Sequence, residues 1–352
     1  MNLTEFSYNL RKYAPYLILF IVIIMIFYYS IQLAILYYKS QYQPVTSIYI
    51  NPIFDKIKKP SLKNSTSSAN FDYIFDTIDG VPVTATATAN VYFLPLAKVR
   101  PFGYREKTYL MAKAFGFDTD VIKETFTDET KNTVMFSDGK KKLTINISNF
   151  NFSFEDLNTN EADFQETIIP PKSQIENTAI DFLRSINRYP EELSKGKTNV
   201  IYHRYSPGNN TEFVTENPSD ANVVEVDFYR PDIENFMVVT PKFFNSQNFI
   251  IMVFNEKGSK VIRAQVHFFE KLDSQFGIYP VISGETAWND LNNGKGLVVS
   301  SNVDNGSISI KKMNFGYLDP DNNEDYLQPV YIFIGTNNFV AYVPAVSQYL
   351  ID

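Results

Sequence analysis

The chain of 352 residues contains no cysteine and only two histidines, His203 and His267. Without cysteine, the sequence cannot form disulfides, thiolate zinc sites or iron–sulfur centres, and it cannot use thiol catalysis. Two histidines leave little room for a histidine-based metal centre or catalytic triad. Many metal and nucleophile chemistries are therefore excluded before any pattern is considered.

Positive charge is also scarce, because 32 lysines and arginines face 39 acidic residues and the formal net charge is −7. Nucleic-acid-binding proteins usually carry a basic field, so no nucleic-acid partner is expected. The sequence has no glycine-rich phosphate loop, no GxSxG or HExxH motif and no calcium-loop consensus. These absences predict a protein that is not an enzyme, with no catalytic, cofactor-binding or metal-binding residues to assign.

Hydrophobic and aromatic residues are plentiful, at 44% and 15% of the chain, with 30 phenylalanines and 23 tyrosines. This apolar content is sufficient for a folded core. Aromatic side chains favour the half-buried positions of pleated strands. The composition therefore favours a strand-rich fold.

One long apolar segment lies near the N-terminus, at residues 16–38 (YLILFIVIIMIFYYSIQLAILYY). As a helix rising about 1.5 Å per residue, it is long enough to cross a hydrocarbon core of about 30 Å. The apolar region of a cleaved signal peptide is shorter and is followed by small residues. The sequence therefore predicts an uncleaved transmembrane helix that anchors the chain in a membrane.

The flanking charges predict the orientation of this helix. Arg11 and Lys12 precede it and Lys39 follows it. Positive residues are enriched on the cytoplasmic side, so residues 1–15 are expected to be a cytoplasmic tail. The C-terminal part is then extracytoplasmic in a single-pass protein of the cell membrane.

Residues 39–70 are predicted to be a stalk. They contain Pro44, Pro52 and Pro60, and they end in a polar stretch rich in serine and asparagine. Proline blocks helix continuation, and a serine-rich run has little to bury. An extended linker is therefore expected between the membrane and the folded part.

Beyond the stalk, one order of elements recurs: a short helix followed by strands joined by tight turns. Helices are predicted at about 105–115, at 174–186 after a capping box that begins at Ser173, and at 284–293 after Ser283. Strands are predicted on both sides of Asp79-Gly80 and of Asp138-Gly139. This order predicts an α+β fold of helix-plus-antiparallel-sheet modules.

The predicted domain boundary lies where polar residues and Pro170-Pro171 interrupt both periodicities. It gives a proximal α+β domain at 71–157, a linker at 158–172 and a distal α+β domain at 173–352. The distal domain is predicted to contain two helix-plus-sheet repeats.

Few side chains are candidates for chemistry. An acidic loop near the C-terminus is rich in oxygen ligands but lacks the EF-hand spacing, so a solvated turn around Pro320 is the preferred interpretation. The two histidines lie in strand-like runs and are interpreted as edge or surface residues. The loop contributes Asp319, Asp321, Asn322, Asn323, Glu324 and Asp325.

Two acidic pairs, Glu191-Glu192 and Glu155-Asp156, could serve a glycosidase only at a suitable separation across a cleft, and they are interpreted as surface charge. The lone Trp288 is expected to pack its helix on a sheet. Glycosylation triplets in this asparagine-rich chain are expected by chance. They begin at Asn64, Asn146, Asn151 and Asn209.

The layout of anchor, stalk and helix-plus-sheet modules resembles the YycH/YycI class of extracytoplasmic regulators and, more distantly, PepSY-type domains. The stretches that carry this resemblance are AKAFGF at 112–117, AIDFLRS at 179–185, GIYPVISGETAWNDLNNG at 277–294, and YLQPVYIFIG with FVAYVPAV at 326–346. The chain is also similar to uncharacterised single-pass membrane proteins of candidate-phyla bacteria, through PIFDKIKKPSL at 52–62, DTIDGVPV at 76–83 and NVYFL at 90–94. The resemblance implies regulation or binding through protein contacts, without an active site.

The preferred hypothesis is a membrane-anchored, extracytoplasmic binding or regulatory protein that contacts other envelope or membrane proteins. A second hypothesis is an envelope carbohydrate-binding or hydrolytic enzyme with a carboxylate-lined cleft. A third is a structural subunit of a secretion or surface assembly.

Overall fold

The computed structural model describes residues 3–41, 49–62, 65–95, 100–156, 164, 167–206 and 211–352. It divides the chain into two compact units, Met1–Tyr49 and Ile50–Asp352.

The first unit is built on a single long helix, α1, at Leu3–Gln41. Its segment Leu19–Leu36 has a mean hydropathy of 2.5, and none of that segment is buried. The prediction of one N-terminal helix long and apolar enough to cross a membrane is confirmed. The helix is longer than the predicted segment at 16–38, because it also includes residues 3–15 of the predicted tail.

The second unit combines helices with sheets that are largely antiparallel, which confirms the predicted α+β class. The helices of its described residues are α2 (Tyr104–Ala114), α3 (Lys172–Ser185), α4 (Glu191–Ser194) and α5 (Gly284–Asn292). Their positions agree with the three predicted helices, and α4 adds a single turn.

In the described ranges the strands form two sheets of nine strands each. The first sheet contains β1 (Thr66–Ser67), β2 (Phe71–Phe75), β3 (Thr88–Phe93), β11 (Met237–Val239), β14 (Phe276–Pro280), β15 (Leu297–Ser300), β16 (Gly306–Leu318), β17 (Tyr326–Gly335) and β18 (Val340–Pro344). Its main order is β1-β15-β18-β17-β16-β11, with β2 beside β16 and β3 between β14 and β17.

The second sheet contains β4 (Thr125–Phe126), β5 (Thr133–Ser137), β6 (Lys141–Asn146), β7 (Phe152–Asp156), β8 (Thr198–Ser206), β9 (Thr211–Thr215), β10 (Val223–Phe228), β12 (Phe249–Asn255) and β13 (Gly258–Val266). Its order is β4-β5-β6-β7-β13-β12-β10-β8-β9. The pairing is antiparallel throughout, with β10 well inside the sheet.

The predicted division into a proximal domain at 71–157 and a distal domain at 173–352 is wrong. Strand β7 pairs with β13, and β3 pairs with β14 and β17, so each sheet takes strands from both predicted domains. Two helix-plus-sheet repeats therefore do not exist as separate units at 173–352. The predicted linker at 158–172 falls mostly outside the described residues, and Thr167 within it bridges Asn255 of β12.

The predicted stalk also requires correction. Ile57 is buried and exchanges backbone hydrogen bonds with Leu350 and Asp352, while β1 pairs with β15. Residues 50–62 and 65–70 therefore belong to the second unit. Of the rest of the predicted stalk, residues 39–41 end α1, Tyr49 belongs to the first unit, and 42–48 and 63–64 lie outside the described residues.

The predicted hairpin at Asp138-Gly139 is confirmed, because β5 and β6 are antiparallel neighbours joined by a short turn. The pairs β12-β13 and β17-β18 are hairpins as well. The strands on either side of Asp79-Gly80 are formed but do not pair with each other. Strand β2 instead pairs in parallel with β16, and β3 pairs with β14 and β17.

Each sheet buries one face beneath helices. Helices α2 and α3 cover the second sheet with side chains such as Met111, Ala112 and Leu183. Helix α5 covers the first sheet, and its Trp288 contacts Phe75 at a ring-centroid distance of 4.9 Å. The prediction that Trp288 packs its helix on a sheet is confirmed.

Candidate functional site

A buried arginine connects the two sheets. Arg230 follows β10 of the second sheet, and its partner Asp319 follows β16 of the first. Nε and Nη2 of Arg230 lie 3.0 and 2.9 Å from Oδ1 of Asp319, and the two side chains are 0% and 2% exposed. This ion pair therefore joins the two sheets through the interior.

Arg230 has three further contacts. Nη1 lies 2.7 Å from Oε1 of Glu192, Nη2 donates to the Phe269 carbonyl at 2.6 Å, and Cζ lies 4.1 Å from the ring centroid of Phe268. Burial lowers the pKa of Arg230, but attraction to Asp319 and Glu192 outweighs it and holds that pKa above its ordinary value. The guanidinium is therefore a permanent buried cation.

A cleft of about 420 Å³ opens beside this arginine, and we call it the acidic cleft. Its walls come from β3 of the first sheet, from α4 and the residue after it, from the segment after Arg230, and from the connection between β13 and β14. It is lined by Tyr92, Glu191, Glu192, Lys195, Pro231, Asp232, Ile233, Glu234, Glu270, Lys271 and Asp273.

The lining of the acidic cleft carries six carboxylates and two lysines, and three cations from outside the lining, Arg188, Lys197 and Arg230, reduce the surplus to one negative charge. Every one of these carboxylates has a partner among the described residues. Glu192 pairs with Arg230 and Lys271, and Glu234 accepts a hydrogen bond from the Tyr92 hydroxyl at 3.1 Å. The other pairs are Glu191 with Lys195, Asp232 with Lys197, Glu270 with Arg188, and Asp273 with Lys271.

The partners of these carboxylates affect whether any of them can act as a general acid or base. A general acid or base must exchange a proton with a substrate, and its pKa must lie near the working pH. The pKa of Glu191 is instead held below its ordinary value by a hydrogen bond from Lys195. A cleft of paired carboxylates with a negative surplus suits recognition of a cation by complementary charge.

A second concave surface lies on the face of the second sheet away from α2 and α3. A cavity of about 330 Å³ shares Thr144 and Ser153 with a neighbouring cavity of about 250 Å³, and we call the two together the outer groove. The first is lined by Thr133, Thr144, Asn146, Asn149, Asn151, Phe152, Ser153, His267, Phe269, Asp321, Asn322 and Asn323. The second adds Lys142, Phe154, Glu155, Phe249, Arg263, Ala264 and Gln265.

The predicted acidic loop does not behave as a solvated turn throughout. Asp319 is buried on Arg230, whereas Asp321, Asn322 and Asn323 line the outer groove. Glu324 accepts a hydrogen bond from the Ser61 hydroxyl at 2.6 Å, and the Asp325 carbonyl accepts one from the backbone of Leu94. Within the described ranges, no group of three or more histidine and acidic side chains is arranged to hold a metal ion.

The interpretation of the histidines as edge or surface residues is wrong for His203. This residue of β8 is buried, with Nε2 3.0 Å from Oε2 of Glu225 and Nδ1 3.2 Å from Oε1 of Glu212. His267 follows β13, is half-buried and lines the outer groove.

Two buried acids on β10 carry no motif that singles them out in the sequence. Glu225 and Asp227 lie on the same face of this internal strand, and Asp227 is fully buried. Oδ2 of Asp227 accepts hydrogen bonds from the Tyr229 hydroxyl at 3.0 Å and from the Ser246 amide at 3.1 Å. Burial and the neighbouring Glu225 raise the pKa of Asp227 to about 7.

The remaining candidates have structural contacts. Asp156 is buried and pairs with Lys260 at 3.1 Å, so the interpretation of Glu155-Asp156 as surface charge is wrong for Asp156. Asn151 is buried and accepts hydrogen bonds from Arg188 and from the Phe268 amide, and Asn146 accepts one from the Ser148 amide. Asn64 and Asn209 lie outside the described residues.

Comparisons with known proteins add little about function. No family model matches the chain, and no curated protein matches it. Among solved structures, an uncharacterised protein from Eubacterium rectale is similar, with 13% identity, a TM-score of 0.33, and coverage of 77% of this chain and 87% of that chain. The resemblance to the YycH/YycI class therefore stays a prediction.

Proposed function

We propose that this chain is a single-pass membrane-anchored binding protein that captures a cationic segment of a second envelope protein in its acidic cleft. The observation that carries this proposal is the group of six carboxylates that lines a cleft at the junction of the two sheets. This mode of action is the one that the YycH/YycI resemblance implies, namely regulation through protein contacts.

The rigidity of the cleft supports a binding role. Glu192 is held by Arg230, which is itself fixed by Asp319, so this wall of the cleft is attached to the interior of the protein. A preformed site loses less entropy on binding than a flexible one. Complementary charge also accelerates encounter and selects the partner.

The anchor and its orientation complete the proposal. Helix α1 has the length and composition of a membrane span, and Arg11 and Lys12 precede the apolar segment, against Lys39 after it. The positive-inside tendency places the N-terminus in the cytoplasm and the second unit outside.

This orientation predicts the outcome of protease protection. In right-side-out membrane vesicles, an added protease should degrade residues 50–352, whereas an epitope tag before Met1 should survive until detergent is added. In inside-out vesicles the result should reverse. Protection of the second unit in right-side-out vesicles would contradict the orientation.

Fluorescence anisotropy can measure the binding of two labelled peptides, octalysine and octaglutamate, to the full chain in lipid nanodiscs. Octalysine should bind, and high salt should weaken it, because screening acts on exposed charges. The variant Glu234→Gln/Asp273→Asn should weaken octalysine binding by about tenfold, or about 1.4 kcal/mol. Octaglutamate should not bind.

The matched control is Asp72→Asn/Asp304→Asn, which removes the same number of charges from exposed positions outside the cleft. Equal weakening by both double variants would show a general charge effect and would contradict the proposal.

A photo-crosslinker at Asp232, an exposed residue of the cleft lining, can then identify the natural partner. The crosslinked peptide of that partner should carry a net positive charge.

A further inference from the structure

The outer groove lies across strands in the middle of the second sheet. Paired positions place Met135, Thr144, Ser153, Gln265 and Phe249 in one row across β5, β6, β7, β13 and β12. All five side chains are half-buried and point away from the core beneath α2 and α3. The groove therefore has a floor of neutral side chains on a regular sheet.

The floor and rim combine hydrogen-bonding groups with apolar surface. Hydroxyl groups come from Thr133, Thr144 and Ser153, and amides come from Asn146, Asn149, Asn322 and Asn323. In the described part of the chain, the hydroxyls of Thr144 and Ser153 form no hydrogen bond, so they are free to bind a ligand. Two half-buried phenylalanines also line the groove, Phe269 in the larger cavity and Phe249 in the smaller.

We propose that the outer groove binds a neutral oligosaccharide chain. Sugar hydroxyls donate and accept hydrogen bonds, as do the hydroxyls and amides that line the groove. The apolar faces of sugar rings match the phenylalanine rings that line the groove. The larger cavity, about 330 Å³, lies within the range of small-molecule sites. This proposal does not depend on the acidic cleft.

The surroundings of the groove argue against other occupants. Strands β6, β7 and β13 are paired on both sides, so no free strand edge is present there for an extended peptide to join. A charged row, Lys142, Glu155 and Arg263, borders the floor with carboxylate between two cations. Together with Asp321 in the larger cavity, these charges sum to zero and give no strong field for a polyanion or a polycation.

The test uses calorimetric titration of the full chain in lipid nanodiscs with three neutral probes, maltotetraose, cellotetraose and chitotetraose. At least one should bind saturably. Thr144→Val/Ser153→Ala, which keeps the side-chain shapes and removes both hydroxyls, should weaken that binding by about tenfold or more. Asn322→Ala, in the loop between β16 and β17 that also lines the larger cavity, should weaken it in the same direction without touching the sheet.

The control is Thr178→Val/Ser259→Ala, which makes the same chemical changes in a cavity of about 370 Å³ on the helix-covered side of the second sheet. It should leave oligosaccharide binding unchanged. The proposal is overturned if none of the three probes binds, if the groove and control variants weaken binding equally, or if the groove variants affect octalysine or octaglutamate instead. Because Asn322→Ala lies in a loop, it decides the outcome even if the sheet variant fails to fold.

Discussion

Replacing Arg230 with methionine should lower the free energy of unfolding by about 3–5 kcal/mol, because removing one partner of a buried ion pair leaves the other charge unpaired in the interior. Asp319 is almost completely buried, and Glu192 would lose its closest cation. Equilibrium unfolding in urea, read by Trp288 fluorescence, measures the effect. A loss below about 1 kcal/mol would contradict this account.

The loss should depend on pH. Burial already raises the pKa of Asp319, and Arg230 opposes that rise. Without Arg230 the carboxyl should hold its proton to higher pH, so the variant should be least impaired in acid and increasingly impaired as the pH rises. A second substitution, Asp319→Asn, should restore part of the stability at neutral pH, because it removes the unpaired charge.

The matched control for Arg230→Met is Arg184→Met. Arg184 forms an ion pair with Asp181 at 3.5 Å, and the two side chains are 64% and 73% exposed. Exposed pairs contribute about 0–1 kcal/mol, so this variant should be close to wild type. Similar losses in both variants would show that general charge removal, and not the buried connection between the sheets, is responsible.

Local signals in the sequence predicted the elements well. Ser283 accepts a hydrogen bond from the Thr286 amide at 3.1 Å and begins α5, as expected of an N-cap residue. The capping box at Ser173 is wrong, because α3 begins at Lys172 after Pro171, and Glu176 accepts a hydrogen bond from Thr198 of β8. A tertiary contact replaced the local one.

Local signals of this kind could not predict which strands pair with each other. Strand β2 pairs with residues 306–310 of β16, more than two hundred positions away, and nothing in its alternation specifies that partner. Contacts between distant segments are set by the packing of the whole core, so a boundary inferred from turns and prolines divided residues that share a sheet.

The candidate site shows the same limit. Glu192, Arg230 and Asp319 meet only because three distant segments converge, and Arg230 itself carries no motif. The acids of β10 show this limit too: in VVEVDF, Glu225 and Asp227 alternate with apolar residues, a pattern typical of a strand whose polar face is exposed to solvent. Their burial follows from the position of β10 inside the sheet, which the sequence does not specify.

The second large effect is expected from Asp227→Asn, which should stabilise the protein at alkaline pH. The pKa of Asp227 is about 7 in the folded protein, because of burial and Glu225, against an ordinary value of 3.8. Stability should therefore fall as the pH rises from about 4 through 7, where the unfolded chain releases the proton more readily. Each pKa unit corresponds to about 1.4 kcal/mol, so the ionised group costs on the order of 4 kcal/mol at pH 8.

Asparagine resembles the protonated acid. Its side-chain oxygen can still accept from the Tyr229 hydroxyl and the Ser246 amide, and its amide group can donate to Glu225. The variant should therefore match the wild type near pH 4 and exceed it at pH 8, with a flatter dependence of melting temperature on pH. Thermal unfolding monitored by circular dichroism across that range measures both curves.

The control with opposite sign is Asp128→Asn. Hydrogen bonds from the Thr130 hydroxyl and from the amides of Thr133 and Asn132 hold the pKa of Asp128 below its ordinary value. Its ionised form therefore stabilises the fold above the ordinary pKa, and the stabilisation is lost as the pH falls through the lowered value. Asp128→Asn should destabilise the protein at neutral pH, whereas Asp227→Asn should stabilise it. If both variants changed the stability at neutral pH in the same direction, the retained proton of buried Asp227 could not be the cause of the change in Asp227→Asn.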